Sequence, residues 1–428
     1  MRNCIVTIVS ANYLAYARTL AESLREHAPE SEFRLLVVDR PTEEIKRAVT
    51  RSGIQAQYAQ DLGIPDFEHL AFKYQLVEFN TALKPTFLKS IFSEGFDSVI
   101  YLDPDIKVFS ALSPVLNALS SSDIVLTPHS TRPVLDGLRP SDIDYMRTGA
   151  YNLGFIALRR SSNTDEMLDW WESRCLSFGF NDVPFGTFVD QKWIDLVPAF
   201  FDKVCILKHP GCNIAYWNLH ERTLSQGKDA ILVNDQPLCF FHFSGVKASK
   251  PDVLSRHQTR HSIERGSILE ALVSNYCKDL LRLEHESFSK IEYTYGRFDD
   301  GTPISVLARR AATFSKEAEE SPFSQRADFF KKLAKAGIIK KNQTASAESN
   351  TLNFNQFDSR VKMVNSMIRW AAKLITPERT FTLFRYFSLV GREANLSRVI
   401  LDEPFEFEQT PTSNRPLLIH NRNRPTNQ

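Results

Sequence analysis

Two aspartates stand one residue apart at the end of an apolar run. In SVIYLDPDIKVF (Ser98–Phe109) the segment Val99–Leu102 leads into Asp103, Pro104 and Asp105. In an extended chain, residues two apart point to the same side, roughly 7 Å from each other. Both carboxylates are therefore expected to face one site. Pro104 has no N–H to give to a ladder, which suits a strand terminus. Two close carboxylates repel and are costly to desolvate unless a cation lies between them. A divalent metal meets that need. Oxygen ligands favour Mg²⁺ or Mn²⁺, and a histidine in the shell tilts the choice to Mn²⁺. The plainer reading is a solvated turn after a strand, so the weight of the pair depends on the rest of the chain.

The elements that must hold these acids follow from hydrophobic periodicity. Cys4–Val9 is a short β-branched run and reads as a buried strand. Leu14, Ala17, Leu20, Ala21 and Leu24 fall on one helical face. Phe33–Asp39 is a second strand ending on an acid. Thr42, with acids after it and Gly53 as a stop, frames a helix. A weaker strand lies near Ile54–Tyr58, Asn80–Gly95 is helical, and Ser98–Leu102 is the next strand. Asp123–His129 and Tyr151–Arg160 read as strands, and Thr164–Cys175 as a capped helix. Strand and helix alternate, which predicts an α/β fold with a largely parallel sheet. Ligands of such sheets sit at the carboxyl ends of the strands. Ser10, Asn12, Asp39, Asp103 and Asp105 all lie at or just after strand ends. No GxGxxG or P-loop accompanies them, so dinucleotide and P-loop ATP readings lose their main support.

Polar residues inside apolar frames recur downstream. The segments YLDPDIKVF, YNLGF, VDQKW, NIAYWN and FHFSG, in this order, resemble the GT-A-fold glycosyltransferases, specifically the family-8-like bacterial sugar transferases with a DxD metal motif. The resemblance covers roughly residues 4–250 and implies a Rossmann-like, mostly parallel sheet flanked by helices. It implies that Asp103 and Asp105 bind Mn²⁺ (or Mg²⁺) and, with it, the diphosphate of a nucleotide sugar, a UDP-sugar above all. His242 matches the histidine of an HxxG motif and would be the third protein ligand, with Gly245 its glycine. Asn152 and Gly154 match a segment near the donor sugar, although Leu153 replaces a usual small residue. Asp190 and Gln191 match a pair beside the anomeric carbon. Ser10, Asn12 and Asp39 would lie near nucleobase and ribose, and Lys84 takes the place of a donor-binding arginine. The family often continues HxxG with xxKPW; here VKASKP follows Gly245, so Lys247 or Lys250 clamps the phosphates, or neither does.

By resemblance the anomeric configuration is retained. Same-face departure and attack is favoured, with Gln191 or Asp190 stabilising an oxocarbenium-like centre. Duller readings stand beside these: Asp190 as an N-cap of a helix starting at Gln191, His242 as a core histidine between Phe241 and Phe243, and Asn152 as a structural amide. The tryptophans read as packing residues, with Trp217 a candidate for the acceptor side. A haloacid-dehalogenase-type phosphohydrolase is disfavoured because Lys107 stands two after the second acid. Two alternatives remain: a metal-dependent nucleotidyltransferase, which lacks its glycine-rich basic loop here, and a non-catalytic glycan-binding GT-A protein.

The chain has 428 residues, 43 % hydrophobic and 24 % charged, with 52 Lys+Arg against 51 Asp+Glu. A net charge of +1 gives no reason to expect a nucleic-acid partner. Six scattered cysteines without a CxxC read as reduced thiols of a cytoplasmic protein. No signal peptide or membrane span is expected. After a catalytic domain over 1–250, a helical extension is expected over 251–340, a linker over 341–352, an amphipathic helical segment over 353–408 and a disordered tail over 409–428. Arg326–Lys341 and the helices from Arg360 to Val390 mix aromatic and basic residues. Such stretches lie on an anionic membrane surface or pack on the catalytic domain. The first reading implies peripheral association with the inner leaflet and a lipid-linked acceptor in surface polysaccharide assembly; otherwise the acceptor is a glycan.

Overall fold

The computed structural model describes residues 2–339 and 359–404. The expected linker, the expected tail and Lys340–Asp358 therefore lie outside the described residues. The chain divides into two compact units, Met1–Phe67 with Leu76–Thr294, and Glu68–Gln75 with Tyr295–Gln428.

The first unit is an α/β fold. Its elements in chain order include β1 (Asn3–Val9), α1 (Leu14–His27), β2 (Glu32–Val37), β3 (Ala56–Tyr58), α2 (Lys84–Ser93), β4 (Ser98–Leu102), β5 (Ile106–Val108), β6 (Ile124–Pro128), β7 (Tyr151–Arg159), α3 (Ser162–Phe178), β8 (Val204–Ile206), β9 (Phe240–His242) and α4 (Ile268–Arg282). Seven strands form one sheet in the order β8-β6-β7-β4-β1-β2-β3. Every pairing is parallel except those of β7, which runs antiparallel to both β4 and β6. β1, β4 and β6 are buried along their whole length, as continuous apolar strands covered on both faces must be. β5 and β9 pair antiparallel outside this sheet, with His242 opposite Ile106. Residues 251–294, expected to open a helical extension, lie within this unit, where Tyr276 of α4 stacks on Phe243 at 3.9 Å between ring centroids.

Local chemistry sets several boundaries. Thr42 caps its helix by accepting from Ile45 N at 3.3 Å, and Gly53 ends it at φ 70°. The single helix expected over Asn80–Gly95 is two, Leu76–Ala82 and α2, because Pro85 at the start of the second cannot continue the hydrogen bonding of the first. α3 starts at Ser162, two residues before the expected Thr164, because Ser161 supplies the cap to Thr164 N.

The second unit is helical, and its core gathers aromatic rings. Phe72 meets Phe298, Phe323 and Phe329 at centroid distances of 5.7, 5.0 and 5.6 Å. Arg309 is buried and donates to the carbonyls of Phe72, Tyr74 and Tyr295, each at 2.8 Å. The helix Asp328–Lys335 buries Phe329, Phe330 and Leu333, and Ile338 and Ile339 after it are buried too. The apolar side of this stretch is thus buried, which favours the packing one of its two expected readings, against the aromatic rings of its own unit. The helices Ser359–Ile375 and Pro377–Val390 behave otherwise: Met367, Trp370, Phe381 and Phe387 are exposed. Pro377 opens the second helix as expected, but Thr376 makes no side-chain cap. Its φ of 68° leaves the extended backbone that a cap residue adopts. Among the described residues no helix is long and apolar enough to cross a membrane.

Candidate active site

Asp103 and Asp105 leave the carboxyl end of β4, but not as an extended strand. Ile106 N donates to Asp103 O at 3.0 Å, closing a turn through Pro104 before β5 begins. Proline presets the backbone for the second position of such a turn. The two acids converge because the chain folds back, not because of a pleat. β9 delivers His242 beside them: Phe243 N donates to Asp105 O at 2.9 Å. His242 Nε2 lies 2.9 Å from Asp105 Oδ1 and 3.8 Å from Asp103 Oδ2. One ligand atom from each of the three residues falls within 4.8 Å of the others. Among the described residues no lysine or arginine forms an ion pair with either acid.

The shell around this set fixes its orientation. Tyr101 Oη donates to Asp103 Oδ1 at 2.7 Å. Asn152 Oδ1 accepts from Gly154 N at 3.2 Å, which identifies it as the amide oxygen. The His242 Nδ1 at 3.2 Å from that oxygen therefore carries a proton, so Nε2 is the nitrogen turned to the carboxylates, donating to Asp105 when no metal lies between them. This is the arrangement metal-ligating histidines adopt. Burial alone would lower the His242 pKa, but Asp105 and then Asp103 outweigh it and raise it. Gly154 makes room for the ring: a Cβ there would lie 2.3 Å from His242 Cε1. Two carboxylates and one imidazole fit Mn²⁺ or Mg²⁺.

A second group adjoins the first through the start of β7. Lys84 Nζ lies 2.6 Å from Asp190 Oδ2, both side chains being 2 % exposed, and also donates to Leu153 O at 2.7 Å. Burial pushes the Asp190 pKa up, against the pull of Lys84. Asp190 precedes the helix Gln191–Ile194 but makes no side-chain cap bond, so the N-cap reading fails. Gln191 is held at both ends: Oε1 accepts from Leu153 N and Nε2 donates to Thr148 O, each at 3.0 Å. Asp103 N donates to Gly154 O at 2.8 Å, tying this group to Asp103, Asp105 and His242.

The remaining predicted residues lie elsewhere. Ser10 Oγ donates to Asn12 Oδ1 at 2.5 Å at the end of β1. Asp39 Oδ2 accepts from Ala11 N at 2.7 Å, and Oδ1 from Thr294 N and Oγ1 at 2.9 and 3.2 Å. Burial raises its pKa against these bonds. Lys247 and Lys250 are exposed on a tight turn, with Lys250 N donating to Lys247 O at 2.9 Å. Gly245, at φ 80°, approaches Ser255 so closely that a Cβ would lie 2.4 Å from its Oγ.

Sequence reasoning assigned no role to Asn213 or His129. Asn213 is fully buried and donates to Asn152 Oδ1 at 3.0 Å and Thr127 Oγ1 at 2.7 Å. His129 stacks with Tyr145 and meets Trp217 edge-on, and Trp217 in turn meets His242 at 5.0 Å and 88°. Trp217 is buried, a packing partner of the imidazole. The NIAYWN motif held the one available signal, a polar residue opening an apolar frame.

No family model matches the sequence. Uncharacterized protein YfnF of Bacillus subtilis (strain 168) is 26 % identical over 265 residues, 60 % of this chain and 87 % of its own. YfnD of the same organism is 26 % identical over 243 residues, covering 56 % and 76 %. Among solved structures, the galactosyltransferase LgtC with donor and acceptor sugar analogs is similar at 17 % identity over 64 % of this chain and 95 % of that one, with a TM-score of 0.41. The glycosyltransferase GlyE of Streptococcus pneumoniae TIGR4 is similar at 15 % identity over 70 % and 67 %, with a TM-score of 0.39.

Proposed function

We propose that this chain is a glycosyltransferase that moves a sugar from a nucleotide-sugar donor, with Asp103, Asp105 and His242 holding a divalent metal. One observation carries the reading. Two carboxylates and an imidazole anchored through Nδ1 converge from separate segments at the carboxyl edge of a mostly parallel sheet, with no lysine or arginine among the described residues to balance them. Bound there, Mn²⁺ or Mg²⁺ would neutralise charge on the departing diphosphate. The protein residues do the positioning. Tyr101 and Asn152 orient Asp103 and His242, and the Lys84–Asp190 pair and the Gln191 amide fix the backbone at Leu153. Ser10, Asn12 and Asp39 would border the nucleoside, with uridine diphosphate the expected carrier. Lys247 or Lys250 would close over the phosphates and limit hydrolysis.

Retention by same-face departure and attack fits Asp190 better than double displacement does. A carboxylate 1 % exposed and paired with Lys84 is a poor nucleophile, and Asp190 or Gln191 would serve to stabilise the oxocarbenium-like centre. A covalent glycosyl adduct trapped on Asp190 would overturn that part. The whole reading is tested by thermal shift with UDP, GDP and CDP, with and without Mn²⁺. Stabilisation by one nucleotide only with metal, absent in Asp105→Ala, is expected. A shift by nucleoside triphosphate alone would favour a nucleotidyltransferase.

Exposed Trp370, Phe381 and Phe387 beside Lys373, Arg379 and Arg385 support a further part of the reading, peripheral contact with an anionic membrane and a lipid-linked acceptor for surface polysaccharide. Co-sedimentation with anionic but not neutral vesicles, reduced in Trp370→Ser, is the expected result.

A further inference from the structure

A second cluster of metal-ligating side chains lies in the same unit, built from softer atoms. Cys212 and Cys239 are buried, 1 % and 2 % exposed, and His209 beside them is half-buried. One ligand atom from each falls within 4.8 Å of the others, and Cys212 Sγ is 3.8 Å from His209 Nδ1. None of the three takes part in the site described above.

The backbone is shaped to bring them together. Cys239 N donates to Gly211 O at 2.8 Å, joining the two segments. Gly211 permits the approach, since a Cβ there would lie 2.0 Å from Pro237 O. Arg222 is buried and donates to Cys212 O at 3.0 Å and to the carbonyl of Pro210, pinning the loop that carries His209. His209 Nδ1 accepts from Gly211 N at 3.1 Å, so this nitrogen carries the lone pair rather than the proton.

We propose that His209, Cys212 and Cys239 form a zinc site distinct from the Asp103–Asp105–His242 set. Two sulfurs and an imidazole are the donor set that Zn²⁺ takes in tetrahedral coordination, with the fourth position left to water. Binding forms two Zn–S bonds and one Zn–N bond. It releases to solvent the protons held by the two thiols, and Gly211 N–H gives up its acceptor. The ion would tie the loop 209–212 to the segment 237–239. Asn213 follows the one directly and His242 lies three residues beyond the other, so occupancy bears on how rigidly the candidate active site is held.

The test uses the full-length reduced protein, stripped with a chelator and titrated with Co²⁺. One equivalent is expected to produce thiolate-to-cobalt charge-transfer absorption that Zn²⁺ then displaces. Cys239→Ser should abolish it. His209→Ala, at a half-exposed position that leaves the core intact, should weaken binding roughly tenfold or more. Asp105→Ala should leave it unchanged, which separates this site from the proposed transferase metal. Absence of the absorption, or its persistence in both Cys239→Ser and His209→Ala, overturns the proposal. So does a Cys212–Cys239 disulfide formed on mild oxidation of a protein that binds no Co²⁺, which would make the pair a redox couple instead.

Discussion

Asp39 and the Asp103–Asp105 pair both stand just beyond carboxyl ends of parallel strands, yet the protein treats them differently. Asp39 receives three hydrogen bonds from Ala11 and Thr294, and both its oxygens are used. Asp103 and Asp105 receive Tyr101 Oη and one imidazole between them. An acid whose lone pairs the protein fills is part of the scaffold. An acid pair left short of donors and cations is prepared for something from outside. Position at a strand end does not tell the two apart; the supply of donors does.

Four measurements would break or sharpen that contrast. The largest effect is expected for Asp105→Ala, which should lower transferase activity roughly a thousandfold, about 4 kcal/mol of barrier, while leaving thermal stability without metal unchanged or raised. A stability loss like that of a scaffold acid would erase the distinction. Asp39→Ala should do the reverse. It strands buried donors and should cost roughly 3 kcal/mol in denaturant unfolding, with Mn²⁺ affinity of the folded fraction unchanged.

His129 offers a comparable effect driven by pH. Burial lowers its pKa to about 4 from an unfolded value near 6.5. A depressed value means the neutral ring is favoured by folding, so this contribution is full above pH 6.5 and is lost as the pH falls through 6.5 toward 4. The loss amounts to roughly 3 kcal/mol at most. His129→Gln should flatten that part of the stability profile measured by urea unfolding; an unaltered profile would show that the ring is not the acid-labile element beside the site. The smallest effect is expected for Gly154→Ala. Its Cβ meets a buried imidazole, so a cost of about 1–3 kcal/mol is expected, with weaker Mn²⁺ binding as His242 is displaced. Unchanged metal affinity in calorimetry would remove His242 from the ligand set.

Much of this was readable from residues alone. Buried β-branched runs located β1, β2 and β4, and the cap and stop residues located the helix Glu43–Ser52, because those signals are local. The acids and His242 were legible as chemistry, but the turn that joins Asp103 to Asp105 was not, since an extended chain and a proline turn both place carboxylates close together. The Lys84–Asp190 pair was not legible either. Each residue had a local reading, and they become partners only because α2 and the segment at Asp190–Gln191 both come to the backbone of Leu153 in β7. Asn213 meets Asn152 across 61 residues of chain, beyond any local pattern. The zinc cluster was hidden for the same reason: its cysteines are scattered in sequence and meet only where Gly211 lets two backbones touch.

The reversed direction of β7 has a practical consequence. Its first residues, Asn152 to Gly154, face the carboxyl edge of the neighbouring strands, while its last, Arg159, pairs with Ser98 at the opposite edge. The connection at Arg160–Ser161 is therefore a full strand length from the chemistry. A fluorophore or affinity handle attached there would sit far from Asp103 and His242 provided that Ser161 keeps its cap to Thr164 N and Arg160 its bonds to Phe92 and Phe96, whereas the same attachment at Asn152–Gly154 would fall beside them.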